Sequence, residues 1–261
     1  NIDIIEKALS LGCNINSRSN KNKTLLMESI TYFLETPKEN TEMRNDYLEM
    51  IIELIRLGIS IDATDDNNEN ALFFFTRSEN RELINTLFED NHKIDLNHQN
   101  NQGETVLSIL ALNGIRNIKL IKLYLSKGAT PDLVNKHGKS LIEILIDIIL
   151  YSENRKPLEF EYEILLNEDA EYANVLEIIL KSHNVDINKL NSKHEPLFFD
   201  SIVYFNFKLF KLLRVKGINL NQRDKDGNNI IFKLMDYNDK NLIKDKKLYL
   251  NTIKSLINAG V

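Results

Sequence analysis

Hydrophobic and polar positions alternate along this chain in a unit that is clearest between Asn117 and Leu145. Ile118, Leu120, Ile121, Leu123, Tyr124 and Leu125 recur at three- and four-residue spacing, with Lys119 and Lys122 turned outward, which predicts a helix. Gly128 stops it, because glycine adopts the left-handed conformation wanted just past a helix, and Lys127 suits the negative end of the helix dipole. Ala129 to Asp132 form a polar exit, Asn135 and Gly138 a turn, and Ser140 a cap for the next helix at Leu141.

The same order appears six times and begins a seventh. Leu11-Gly12, Leu57-Gly58 and Lys216-Gly217 end helices as Lys127-Gly128 does; Asn184 stands where the fifth glycine is expected, and the last helix runs from Ile253 to Gly260. Each exit alternates apolar and polar residues, as in Ile59-Ser60-Ile61-Asp62 or Ile218-Asn219-Leu220-Asn221, so its apolar members should pack at the base of a loop. The Asp or Asn closing each exit falls at 16, 62, 97, 132, 188 and 221, giving spacings of 46, 35, 35, 56 and 33 residues. Polar loop tips are expected at 17–23, 63–69, 98–102, 133–139, 189–194 and 222–228.

With Leu-Ser-Lys-Gly-Ala at 125–129, Leu-Gly-Cys-Asn-Ile-Asn at 11–16, Gly-Ile-Asn-Leu-Asn at 217–221, Asn-Gln-Gly-Glu-Thr-Val-Leu at 101–107 and Asp-Lys-Asp-Gly-Asn-Asn at 224–229, the chain resembles an ankyrin-repeat protein over nearly its whole length. The shortest spacings sit near the ~33 residues of one ankyrin unit. The family's Thr-Pro-Leu-His helix opening is degraded: Thr24 and Thr105 keep the threonine, only Pro196 the proline, and no position the histidine. The resemblance implies an all-α solenoid in which each unit, two short antiparallel helices and a projecting loop, covers its apolar face only by stacking on its neighbours. We expect one domain over 1–261, of six to seven units, cut from a longer chain.

The longer spacings are the same unit with insertions, expected at Thr36–Asp46, Tyr151–Tyr172 and Asp236–Lys247. The second is acidic, and its Phe160, Tyr162, Ile164, Leu165 and Leu166 could form a short extra helix.

A net charge of −5 argues against a nucleic-acid partner, whose phosphates call for clustered Lys and Arg. The apolar run Leu141–Leu150 is interrupted by Glu143 and Asp147, so membrane insertion is not expected. A single cysteine rules out a disulfide framework and fits the cytoplasm, a host's included. Cys13 follows a helix-ending glycine and should be a buried small apolar group.

The five histidines, His92, His98, His137, His183 and His194, have no metal-binding spacing and read as exposed loop residues. No phosphate loop, nucleophile elbow or catalytic carboxylate pair appears, so neither cofactor, metal nor enzymatic activity is expected. The resemblance implies a monomeric scaffold that binds another protein through loop tips and first helices. The partner-binding candidates are Arg18, Lys21, Asp66, Asn68, His98, Gln102, Lys136, His137, Lys193, Arg223 and Lys225 on the tips. Phe74 and Phe199 join them as exposed aromatic anchors on first helices. The alternative is the substrate-recruiting or regulatory part of a larger enzyme or secreted effector, with its catalytic domain outside this chain.

Overall fold

The computed structural model describes residues 2–78, 80–89, 94–112, 118–154, 172–181, 185–203, 206–240 and 246–261. Among these the secondary structure is helical, with isolated β-bridges joining Arg18 to Thr24 and Leu190 to Pro196 at the base of two loops. The chain divides into two compact units, Asn1–Lys136 and His137–Val261.

The first unit holds α1 (Ile2–Ser10), α2 (Leu25–Glu35), α3 (Thr41–Arg56), α4 (Ala71–Ser78), α5 (Arg81–Glu89), α6 (Val106–Leu112) and α7 (Ile118–Ser126). The helices alternate between two layers: α2 packs on α4 and α4 on α6, while α3 packs on α5. Leu26, Met27, Ile30, Phe33, Ile51, Leu54, Phe73, Phe75, Ile84 and Tyr124 lie wholly or almost wholly inside, each such side chain contributing about 1.5–3 kcal/mol by leaving water. The Tyr124 hydroxyl reaches across to that of Thr76 at 2.9 Å. Burial pushes this phenol up to about 12, with the Thr76 bond pulling weakly the other way.

The second unit holds α8 (Leu141–Asn154), α9 (172–181), α10 (Phe199–Val203), α11 (Phe207–Val215), α12 (Ile230–Asp239) and α13 (Lys246–Asn258). Here α10 packs on α11 and α12, and α12 on α13, around Leu145, Val175, Leu176, Phe198, Phe199, Leu213 and Leu234.

Local chemistry explains the helix ends. Thr24 and Asn229 cap α2 and α12 through their side-chain oxygens. Gly12, Gly58, Gly128, Gly217 and Gly260 all take positive φ just past a helix. In the exits, Ile59, Ile61, Ala129, Ile187 and Ile218 are buried as the alternation predicts.

Within the insertion expected at Thr36–Asp46, Asn40 accepts a hydrogen bond from the Met43 N–H at 3.2 Å and starts α3 at Thr41. Arg44 closes the gap: its guanidinium lies 3.9 Å from the Phe33 ring centroid and donates to the Phe33 and Thr36 carbonyls. Cys13, expected to be buried, is exposed, whereas its equivalents Ile59, Ala129 and Ile218 are buried. Most of the Tyr151–Tyr172 insertion, with its proposed short helix, lies outside the described residues, as do 241–245 of the third insertion.

Candidate functional site

Six loop tips share one backbone conformation. Three residues after each exit Asx stands a second Asp, Asn or Ser, at 19, 65, 100, 135, 191 and 224. Three further on is a residue of positive φ: Asn22, Asn68, Gly103, Gly138, His194 or Gly227. Asp65, Asn100, Asn191 and Asp224 each use one side-chain oxygen to accept two backbone N–H groups, two and four residues ahead, at 2.9–3.0 Å. Such Asx turns fix the tip without any tertiary partner.

Neighbouring tips are then tied to one another. The exit Asx side chains accept the N–H of the next exit: Asn16 from Ser60 and Asn97 from Thr130, both at 2.8 Å, and Asn188 from Asn219 at 2.8 Å. In the first unit Asn68 donates to the Gln99 carbonyl and Gln99 to that of Val134, both at 2.8 Å. The Lys136 N–H reaches the Gln102 carbonyl at 2.8 Å. In the second unit Glu143 receives both the N–H and the hydroxyl of Ser192. Gly103 sits so close to the next tip that an added Cβ would lie 3.0 Å from the Lys136 nitrogen.

Charged side chains run from the tips onto the first helices. The residue four past the tip Asx pairs with one eight positions on: Lys23 with Thr31 at 3.4 Å, Glu69 with Arg77 through two hydrogen bonds, and Lys139 with Asp147. The second unit adds Lys193 with Asp200 at 3.6 Å, and Glu195 with Lys233. Burial raises the pKa of the Asp200 carboxyl; Lys193 opposes this, and Glu195 and Asp147 reinforce it. Burial alone would lower the pKa of Lys233, but the bond and charge of Glu195 outweigh it and leave it raised. Tyr237, 5.9 Å below the Lys233 ammonium, is pushed up by burial and the charge of Asp200.

No family model matches the chain. Solved structures do. The ankyrin repeat domain of Bcl-3, a member of the IκB protein family, superposes with a TM-score of 0.65 over 97% of this chain and 91% of that domain, at 13% identity. An ankyrin repeat domain from Acinetobacter baumannii AYE gives a TM-score of 0.61 over 84% of this chain and 93% of that one, at 18% identity. The fold is that of the ankyrin repeat.

The ankyrin tips bring together most of the residues singled out by sequence, in two sets. Arg18, Lys21, Asp66, Gln102 and Lys136 are exposed in the first unit, and His137, Lys193, Arg223 and Lys225 in the second. Several are tied down: Arg18 donates to the Asn22 and Thr64 carbonyls, and Arg223 to Gly227 at 2.7 Å. Asn68 and His98 are half-buried and bonded to each other, the His98 Nε2 lying 2.7 Å from the Asn68 carbonyl. His98 therefore belongs to the ankyrin ladder more than to its free surface. His92 and His183 lie outside the described residues.

Two aromatic candidates are corrected. Phe74 is 6% exposed, covered by Lys23 and Arg77, which lie 5.1 and 5.6 Å from its ring centroid. Phe199 is fully buried, edge-on to Phe198 at 5.1 Å. Neither can anchor a partner as an exposed aromatic. The ion pairs were missed by sequence reading, although opposite charges eight residues apart across a turn, as in Glu69–Arg77 and Lys139–Asp147, are a signal that could have found them. Among the described residues no group of three His, Cys, Asp or Glu could hold a metal ion, and no helix is long and apolar enough to cross a membrane.

Proposed function

We propose that this chain is a protein-binding scaffold, whose loop tips and adjoining first-helix positions contact a partner protein. The observation that carries this reading is the preorganised tips of each unit: exposed Lys21, Asp66, Gln102 and Lys136 in the first, and Lys193, Arg223 and Lys225 in the second, stand on backbone held by backbone turns, Asx turns or repeat-to-repeat hydrogen bonds. Binding on such a surface loses little conformational entropy, so weak polar contacts add up to affinity. The shifted groups Asp200 and Lys233 each face an opposite charge, which supports structural pairing over proton transfer. We read the protein as a cytoplasmic monomer without enzymatic activity of its own; the lone cysteine agrees with a reducing compartment.

The test replaces the tips in blocks. Lys21, Asp66, Gln102 and Lys136 are changed to Ala in one variant, and Lys193, Arg223 and Lys225 in another. Each is compared with the unaltered chain by quantitative affinity capture and by titration of every captured protein. The expected result is a protein bound by the unaltered chain, weakened about tenfold or more by one block, with the fold retained by circular dichroism and only the small loss of stability that follows from removing the Lys193–Asp200 pair in the second block. Equal affinity for all three forms would overturn the reading.

A further inference from the structure

The second unit carries an apolar cavity of about 510 Å³ away from its tips, between α8, α9 and α11. Its floor includes Leu180 and Leu209, both buried, with Leu212 half-buried and Val215 79% exposed at the mouth. A valine so open, beside a concave apolar floor, is the kind of surface that a partner side chain fills. On α11, Lys208, Lys211, Leu212 and Val215 follow at helical spacing, so cationic and apolar groups share one stripe.

Charge at the rim decides the class of occupant. Lys181 is neutralised by Glu177 at 2.5 Å, while Lys208, Lys211 and Lys216 have no ion-pair partner among the described residues. Three unopposed ammonium groups thus ring an apolar floor, in a chain whose net charge is −5. A nucleic acid would use the lysines but has no need of the floor. An apolar peptide would use the floor and leave the lysines idle. A helix with apolar residues on one face and Asp or Glu flanking them uses both.

We propose that this groove docks an acidic amphipathic helix of a partner protein, its apolar face on Leu180, Leu209, Leu212 and Val215 and its carboxylates on Lys208, Lys211 and Lys216. The site is separate from the tip surface and does not depend on it.

The full chain is titrated with a fluorescein-labelled synthetic helix of about 18 residues, with Leu at i, i+3, i+4 and i+7 and Glu between, and binding is read by anisotropy. Saturable binding is expected. It should weaken about tenfold or more in the triple variant K208E/K211E/K216E, and several-fold in V215E, with circular dichroism and melting unchanged. Val215 and the lysines are not core residues, so these changes leave the fold intact; K208Q/K211Q/K216Q is the milder second variant, in which a smaller loss is expected. Equal binding of a Lys-for-Glu version of the peptide overturns the charge assignment. Binding unaffected by V215E, or tighter binding of single-stranded DNA of similar length, overturns the peptide in favour of a polyanion. Binding that appears only after the acidic residues between Glu159 and Glu171 are changed to Gln overturns the partner in favour of the chain's own segment.

Discussion

The two units share one backbone plan but join their repeats differently. Besides the charged groups of Arg18, Asp62 and Glu69, which also reach the neighbouring repeat, the first unit links successive tips with neutral groups: Asn68 to the Gln99 carbonyl, Gln99 to Val134, Asn101 to Asp66, and Asn97 to the Thr130 N–H. The second keeps neutral links, from the Asn219 N–H and the Gln222 amide to Asn188, and adds more charge, setting Glu143 on Ser192 and Glu195 on Lys233 across repeats, with Lys193 on Asp200 beside them. Neutral hydrogen bonds ignore salt and neutral-range pH, whereas part-exposed ion pairs are each worth at most about 1 kcal/mol and weaken as salt rises. One architecture therefore joins its repeats in two ways, one mainly through amides, the other with more ion pairs and so more responsive to conditions.

The largest effect should come from the contrast between two equivalent tip glycines. At Gly103, φ is +69° and a Cβ would press on the Lys136 nitrogen and the Asn135 backbone at 3.0–3.2 Å, groups that cannot move without breaking the ladder. At Gly138, φ is +74° and a Cβ would meet only the Ser192 Cβ at 3.6 Å and its Cα at 4.0 Å, ordinary contact distances. Gly103→Ala should cost about 3 kcal/mol and Gly138→Ala about 1 kcal/mol, the latter from backbone strain alone. Urea unfolding measures both, and equal costs would mean that the tips are not in tight register.

The helix-ending glycines come next. Gly128 and Gly217 take φ of +98° and +84° with open space where a side chain would go. Valine at either position should therefore lower stability by roughly 1 kcal/mol or more, through backbone conformation only. The two substitutions should cost the same in the two units, unlike the tip pair, and a large difference in their melting shifts would contradict a shared helix end.

What could be read in advance follows from how local each interaction is. The helix-ending glycines, the alternating exits and the tip positions are set by residues a few places apart, so Gly128, Ile59 with Ile61, and Asn135 with Gly138 all announced themselves. Burial of Phe74 and Phe199 was not legible, because it depends on Lys23 and Arg77 folding over one ring and on Phe198 packing against the other. His98 misled for the same reason: its partner is the carbonyl of Asn68, 30 residues away. Cys13 looked like its buried equivalents, since a four-residue motif carries no information about whether a neighbour packs on it.

Asp200 should distinguish the ionic unit by its response to pH. Burial raises its folded-state pKa above that of the unfolded chain, so the folded state holds this proton more tightly. The associated stability is complete below the unfolded carboxylate range, near pH 4, and is lost as pH rises through the folded value. At neutral pH the charged form is therefore a net cost, despite Lys193 at 3.6 Å. Asp200→Asn should raise stability at pH 7 by up to about 1 kcal/mol, with the gain fading as the pH falls through the raised folded value and gone below the ordinary carboxylate range. A less stable variant at pH 7 would mean that the Lys193 pairing outweighs burial.

The smallest effect tests the amide-lined unit at a defect. Asn70 is completely buried, and among the described residues neither its side-chain nitrogen nor its side-chain oxygen finds a hydrogen-bond partner. It stands where α4 opens, the place that Thr24 fills at α2 and Asn229 at α12, both of which cap their helices. Threonine has one polar atom to satisfy in place of two, and at the equivalent position Thr24 accepts the Met27 N–H at 3.3 Å. Asn70→Thr should therefore raise stability by about 0.5–1 kcal/mol, by removing an unpaired buried amide and supplying a cap. The gain should be independent of salt and of pH between 5 and 8, because no charge is involved. A loss of stability, or a gain that varies with salt, would show that the amide has an electrostatic role and that the first unit is less neutral than its bonding pattern indicates.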